Sequence, residues 1–322
     1  MKKYKARIAD KMLSRRLLGS GAVLIQGPKW CGKTTTAEQQ AKSVVYMDDP
    51  EYMEQNVELA NLSPKKLLSG EVPRLIDEWQ LAPQLWDAAR FEVDHRDELG
   101  QFIFTGSAVP VDTSKIHHSG TGRFAWLTMR TMSLSESGDS TNEVSLEELF
   151  ANPVADVFAT NPLNIDSLAW NPNLRSKTAI RTSDTRYFSD PSIGVAALGI
   201  GPNDLVNDLS TMGLFFESMC IRDLRVYADA IDGTVYHYRD GNGLECDAVV
   251  HLRNGNYGLI EVKLGGEKNI EEGAKNLKLL ASKIDDTKMK SPSFLMVLTG
   301  TSRYAVRRPD GVYVVPIGCL KD

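Results

Sequence analysis

The stretch from Gly21 to Ala37 constrains this chain more than any other. The apolar run Ala22-Val23-Leu24-Ile25 enters Gly27-Pro28-Lys29-Trp30-Cys31-Gly32-Lys33-Thr34-Thr35, and a polar, alanine-containing segment of helical character follows. Strand, glycine loop and helix in that order make a phosphate cradle. Glycines let successive backbone N–H groups point inward, and the positive end of the helix adds to their field. Gly27 to Thr35 would hold the nucleotide. Within it Lys33 would reach the β- and γ-phosphates of ATP, and the Thr34 hydroxyl would ligate Mg²⁺. A glycine-rich turn matching by chance is the bland alternative, and the agreement of all three elements argues against it. Cys31 inside the loop leads to the expectation that bound ATP would exclude a bulky thiol reagent.

The surrounding chain reads as a parallel α/β domain. Ile8, Met12, Leu13 and Leu17 lie at helical spacing ahead of the first strand, and Val44-Val45-Tyr46-Met47 reads as a second strand closed by Asp48-Asp49-Pro50. Arg74-Leu75-Ile76-Asp77-Glu78-Trp79-Gln80 is a short apolar run ending in two acids. The first acid, Asp77, would hold Mg²⁺ and the second, Glu78, would polarise the attacking water. Phe102-Ile103-Phe104-Thr105-Gly106-Ser107 is a further strand, with Ser107 or Thr105 as the polar side chain that senses the γ-phosphate. Arg123 follows the glycine loop Ser119-Gly120-Thr121-Gly122. It could stabilise transition-state charge in cis, act across a subunit interface in a homo-oligomer, or pair with a carboxylate. His117 and His118 have no acidic ligand set beside them and read as surface residues.

Together, the phosphate loop, Arg74 to Gln80, Phe104-Thr105-Gly106-Ser107-Ala108 and Ser119 to Arg123 resemble the AAA-type ATPases of prokaryotes that carry a C-terminal domain of unknown function. The resemblance implies ATP and Mg²⁺ as ligands. In that family a helical, winged-helix-like domain joins the two parts, and here only its last portion is recognisable, from about Leu163 to Thr182.

Asn152-Pro153 and Asn161-Pro162 punctuate the junction, so the expected domains are 1–160, a remnant linker at 161–185, and 186–322. The short amphipathic stretch Leu146 to Phe150 would close the ATPase module. A formal charge of -5 excludes coating nucleic acid by bulk electrostatics, so any such contact would need a local basic patch. The four cysteines form no C-x-x-C pair, which fits a reducing cytoplasm better than a disulfide framework. No run is long enough to span a membrane.

Beyond residue 186 the order changes to helix, hairpin, strand and helix. Gly213 to Tyr227 is a helix bearing Glu217; Thr234–Arg239 and Leu244–Leu252 form a hairpin bearing Asp247; Tyr257–Leu264 carries Glu261-Val262-Lys263; Ile270–Lys283 is a helix. This order resembles the restriction-endonuclease-like nuclease fold. The resemblance implies that Asp247 and Glu261 share Mg²⁺, that Glu217 completes the shell and that Lys263 stabilises charge. Glu-x-Lys puts both side chains on one strand face. DNA or RNA is then the expected partner, with Lys275 and Asn276 as phosphate contacts. Ordinary surface ion pairs are the alternative for these residues.

Overall fold

The computed structural model describes residues 4–96, 98–106, 122–152, 168–169, 185, 188 and 190–322. Ser107, His117, His118 and most of the segment from Leu163 to Thr182 lie outside them. The chain divides into two compact units, Met1–Thr131 and Met132–Asp322.

The first unit runs α1 (Ile8–Leu17), β1 (Ala22–Gln26), α2 (Lys33–Glu38), β2 (Ser43–Tyr46), α3 (Met53–Leu62), α4 (Pro64–Leu67), β3 (Arg74–Asp77), α5 (Gln84–Arg96), β4 (Phe102–Gly106) and β5 (Phe124–Thr128). The strands form one parallel sheet in the order β2-β3-β4-β1-β5. Strands buried on both faces of a parallel sheet read as continuous apolar runs, and β1 and β4 do so. One face is filled by aromatic side chains: Trp86 stacks on Phe124 at 3.9 Å between centroids, with Trp79 and Phe104 against it. In such sheets ligands bind beyond the carboxyl ends of the strands, which here are Gln26, Tyr46, Asp77 and Gly106.

The second unit runs α6 (Leu134–Ser137), β6 (Val144–Ser145), α7 (Leu146–Ala151), β7 (Leu168–Ala169), α8 (Pro191–Leu198), α9 (Pro202–Asn207), α10 (Leu209–Ala230), β8 (Gly233–Arg239), β9 (Glu245–Leu252), β10 (Tyr257–Lys263), α11 (Glu267–Lys283), β11 (Phe294–Thr299), β12 (Val306–Arg307), β13 (Tyr313–Pro316) and β14 (Leu320–Lys321). Its sheet has the order β12-β13-β11-β10-β9-β8-β7. β8, β9 and β10 form an antiparallel meander, and α11 crosses over to β11, which lies parallel to β10. Residues 132–151, expected to close the first unit, instead pair with the end of the chain. β6 lies parallel to β14, Thr141 N–H donates to the Gly318 carbonyl, and Leu134 N–H donates to Asp223 at 3.0 Å. These long-range bonds place the division near residue 131 rather than at the Asn-Pro pairs.

The β8–β9 turn is tied by a buried carboxylate. Asp240 accepts from the N–H groups of Asn242 (2.8 Å) and Leu244 (3.0 Å) and from Lys283 Nζ (3.1 Å). Burial works to raise its carboxyl, but Lys283 and the two amides outweigh it and hold it below the usual carboxylate range. Asp240→Ala should therefore cost about 3 kcal/mol at neutral pH in urea unfolding of this unit. Because the folded value is depressed, the contribution is present above the ordinary carboxylate range and fades as pH falls through it. The gap between variant and wild type should narrow in acid; a gap independent of pH would refute the account.

Candidate functional site

The loop after β1 has the geometry that its sequence demands. A Cβ at Gly27 would lie 2.1 Å from the Met129 carbonyl oxygen, so no larger residue fits there. Gly32 has φ +98, in the left-handed region, and caps α2. Lys33 is buried, and its Nζ donates to the carbonyls of Gly27 (3.0 Å) and Pro28 (2.9 Å), so the ammonium lies within the loop. Pro28, Lys29, Trp30 and Thr35 are exposed, Trp30 almost fully at 99%. Cys31 is buried with its Sγ toward the Met129 carbonyl, and burial raises its thiol. The expected nucleotide-dependent labelling at Cys31 therefore has little basis, because the thiol is already shielded, and made less acidic by burial, without nucleotide.

Parallel register brings the acids of β3 to the same end of the sheet. Thr34 Oγ1 donates to Asp77 Oδ1 at 2.8 Å, and Thr105 on the neighbouring strand donates to the same oxygen. Burial raises the Asp77 carboxyl, the two hydroxyls oppose that rise, and Asp48 and Glu38 add to it. A hydroxyl bonded to a buried carboxylate oxygen at the end of a parallel sheet is a donor pair that suits Mg²⁺. Glu78 follows with φ 51 and ψ 44, a left-handed residue that turns the chain so that Trp79 enters the aromatic core while Glu78 stays partly exposed. The Gln80 amide donates to Glu78 Oε2, and Gln80 Oε1 is buried with no acceptor role filled. Lys33, Thr34, Asp77 and Glu78 are thus gathered at one sheet end. Glu38 and Asp48 were not anticipated; the signal was available in Asp48-Asp49, because acids that end adjacent parallel strands align, as Tyr46 does with Asp77.

Arg123 lies elsewhere. It precedes β5, its carbonyl accepts from Ala22 N–H at the start of β1, and its Nε donates to Asp94 at 2.6 Å. The loop leaves the opposite end of β1, a strand's length away. The cis role expected for Arg123 does not fit this register, and the carboxylate pairing does.

In the second unit, pairing of Ile260 with Ala248 sets Asp247 beside Glu261, and Glu-x-Lys adds Lys263 on the same face. Lys263 Nζ lies 2.5 Å from Glu261 Oε2 and 3.6 Å from Asp247 Oδ2, while Val262 N–H donates to Asp247 at 2.7 Å. Glu261 is 1% exposed, with Gly273 of α11 packed over it. Burial, then the Asp247 charge, push its carboxyl up to about 8 against the pull of Lys263. Burial works to lower the Lys263 ammonium, but Asp247, Glu261 and Glu217 outweigh it and raise it. Glu217 and Asp247 both line a cavity of about 660 Å³ whose apolar wall includes Phe188, Leu214 and Phe215. The structure thus brings together the four residues expected from the sequence. The two carboxylates fit a cation, and the cation they hold is the ammonium of Lys263. Among the described residues no group of three or more His, Cys, Asp or Glu is arranged to hold a metal ion. Lys275 is exposed on α11, and Arg308 is paired with Glu271 and Asp310.

No helix among the described residues is long and apolar enough to cross a membrane. No curated protein matches the chain. Residues 212–320 match a domain of unknown function, DUF4143. Residues 19–138, which contain the phosphate loop, Asp77 and Glu78, match a family described as an AAA domain, and that match supports nucleotide binding by the N-terminal part of the chain.

Proposed function

We propose that this protein is a Mg²⁺-dependent ATP hydrolase whose nucleotide state is coupled to a C-terminal domain of nuclease-like layout. The observation that carries the first part is the 2.8 Å bond from Thr34 to Asp77 beside a buried Lys33. When bound there, Mg²⁺ would neutralise charge on the β- and γ-phosphate oxygens. Thr34 and Asp77 would hold it. Lys33 would exchange the Gly27 and Pro28 carbonyls for phosphate oxygens, keeping its hydrogen-bond count while gaining an anionic partner. Gly27 to Thr35 would cradle the phosphates through backbone N–H groups. Glu78, free of the core and held by Gln80, would orient water for in-line attack and accept its proton. Ser107, which lies outside the described residues, would contact the γ-phosphate as its sequence position suggests. Arg123 keeps only the role across a subunit interface, which requires a homo-oligomer. Phosphate release from ATP, with and without Mg²⁺, is the test; no release by wild type with any divalent ion would overturn the hydrolase reading.

In the C-terminal domain, helix α10 with Glu217, the β8–β10 meander with Asp247, Glu261 and Lys263, and the α11 crossover support the restriction-endonuclease-like reading. DNA or RNA is the corresponding partner, with Asp247 and Glu261 as metal ligands. One observation favours a second reading, in which the domain binds its partner without cleaving it: the Lys263 ammonium already sits between both carboxylates, 2.5 Å from Glu261 and 3.6 Å from Asp247. Incubating single- and double-stranded DNA and RNA with Mg²⁺ or Mn²⁺ separates the two. Cleavage lost in Asp247→Ala and Glu261→Ala supports the nuclease, and intact substrate under all conditions supports the binding domain.

A further inference from the structure

Ahead of α1, Arg7 reaches the phosphate loop from outside. It is 6% exposed, and its fork spans two backbone carbonyls: Nη1 donates to Cys31 O at 2.7 Å and Nη2 to Arg130 O at 2.9 Å. Cys31 belongs to the loop and Arg130 to the segment leaving β5, so one guanidinium ties the loop to the chain behind it. That segment also touches the loop through the Met129 carbonyl, against which Gly27 is packed. Arg7 is itself held in place, since its N–H donates to Asp10 Oδ2 at 2.7 Å. Asp10 Oδ1 in turn accepts from the Tyr4 hydroxyl, which lies 3.0 Å from Thr36 in α2.

Peptide geometry gives these bonds a consequence for the phosphate site. A trans peptide is planar, with its C=O and the following N–H pointing in opposite directions. Holding the Cys31 carbonyl outward therefore aims the Gly32 N–H the other way, toward the hollow that Lys33 closes. Gly32 tolerates this because its φ of +98 is open to glycine. A lysine could not do the same, because a single ammonium on a flexible stem does not span two carbonyls as a rigid planar fork does.

We propose that Arg7 is a positioning residue of the nucleotide site, which fixes the Gly32 amide as a phosphate donor by gripping the Cys31 carbonyl. The inference rests on the ATP-binding reading above. The Gly32 amide would meet the phosphates equally in the ground and transition states, so its loss should act as uniform binding. KM for ATP should then rise about tenfold or more in Arg7→Gln, with kcat little changed. Arg7→Lys should fall between Arg7→Gln and wild type.

The experiment is ATP turnover and ADP binding for wild type, Arg7→Lys and Arg7→Gln, with melting temperatures recorded without nucleotide. A merely structural role would lower the active fraction, and so apparent kcat, while leaving KM where it was. In ¹⁵N-glycine-labelled protein the Gly32 amide should shift on adding ADP to wild type and shift less in the variants. Arg7→Lys retains the buried cation and decides the matter should Arg7→Gln fail to fold. Unchanged KM and an unchanged Gly32 shift in a folded variant would overturn the inference about Arg7 alone. Absence of ADP binding by wild type would overturn the nucleotide reading and this inference with it.

Discussion

Lys33→Ala should abolish ATP hydrolysis and weaken ATP binding together, whereas Glu78→Gln should keep binding and lose turnover by about 10²–10⁴-fold. The difference follows from where the two side chains sit. Lys33 is buried within the loop and already bonded to two of its carbonyls, so under the proposed mechanism its removal would take away a charge that meets the phosphates at every stage. Glu78 is partly exposed beside Asp77, and in the proposed mechanism it would act only as the water is deprotonated. Glutamine preserves its shape and its bond to Gln80 but cannot take the proton. A fluorescent ATP analogue measures the first property and phosphate release the second. Wild-type turnover in Glu78→Gln would remove that residue from the chemistry while leaving the nucleotide site intact.

The second large effect concerns Lys263. Lys263→Met should destabilise the C-terminal unit by about 3–5 kcal/mol above pH 8, where Glu261 carries its charge, because that buried carboxylate loses the ammonium 2.5 Å away. Adding Glu261→Gln to that variant should recover most of the loss, since both partners are then uncharged. The wild type itself should show the strain as a function of pH. Glu261 is raised from 4.5 to about 8, chiefly by burial. A raised carboxyl favours the folded state fully below the ordinary carboxylate range, and that contribution is lost as pH rises through about 8. Glu261→Gln should therefore gain on the wild type across that window in urea unfolding. An unchanged midpoint for Lys263→Met would mean that the cluster is solvated and that the buried-pair account is wrong.

The phosphate loop was legible because its chemistry is local: a strand, glycines at fixed spacing and a helix lie within one short stretch. Asp77 and Glu78 were legible for the same reason, as acids that end an apolar run. The order of α10, the β8–β10 meander and α11 also followed from periodicity and turn residues, and Asp247, Glu261 and Lys263 came together because alternate strand residues share a face. Composition alone excluded little beyond bulk attraction to nucleic acid.

Tertiary structure decided what depends on bonds between distant residues. Nothing near Arg7 in the chain announces that its guanidinium grips Cys31 and Arg130. Nothing near Arg123 shows that parallel register leaves it at the end of β5 away from the loop, paired with Asp94. The Asn-Pro pairs are a turn signal in the sequence, yet residues 132–151 belong with the chain's end because β6 finds its partner in β14. The physical reason is common to all three. Periodicity and turn chemistry act over a few residues and are written in the sequence. Register, ion pairing and the division into units are settled by which distant groups meet when apolar surface is buried.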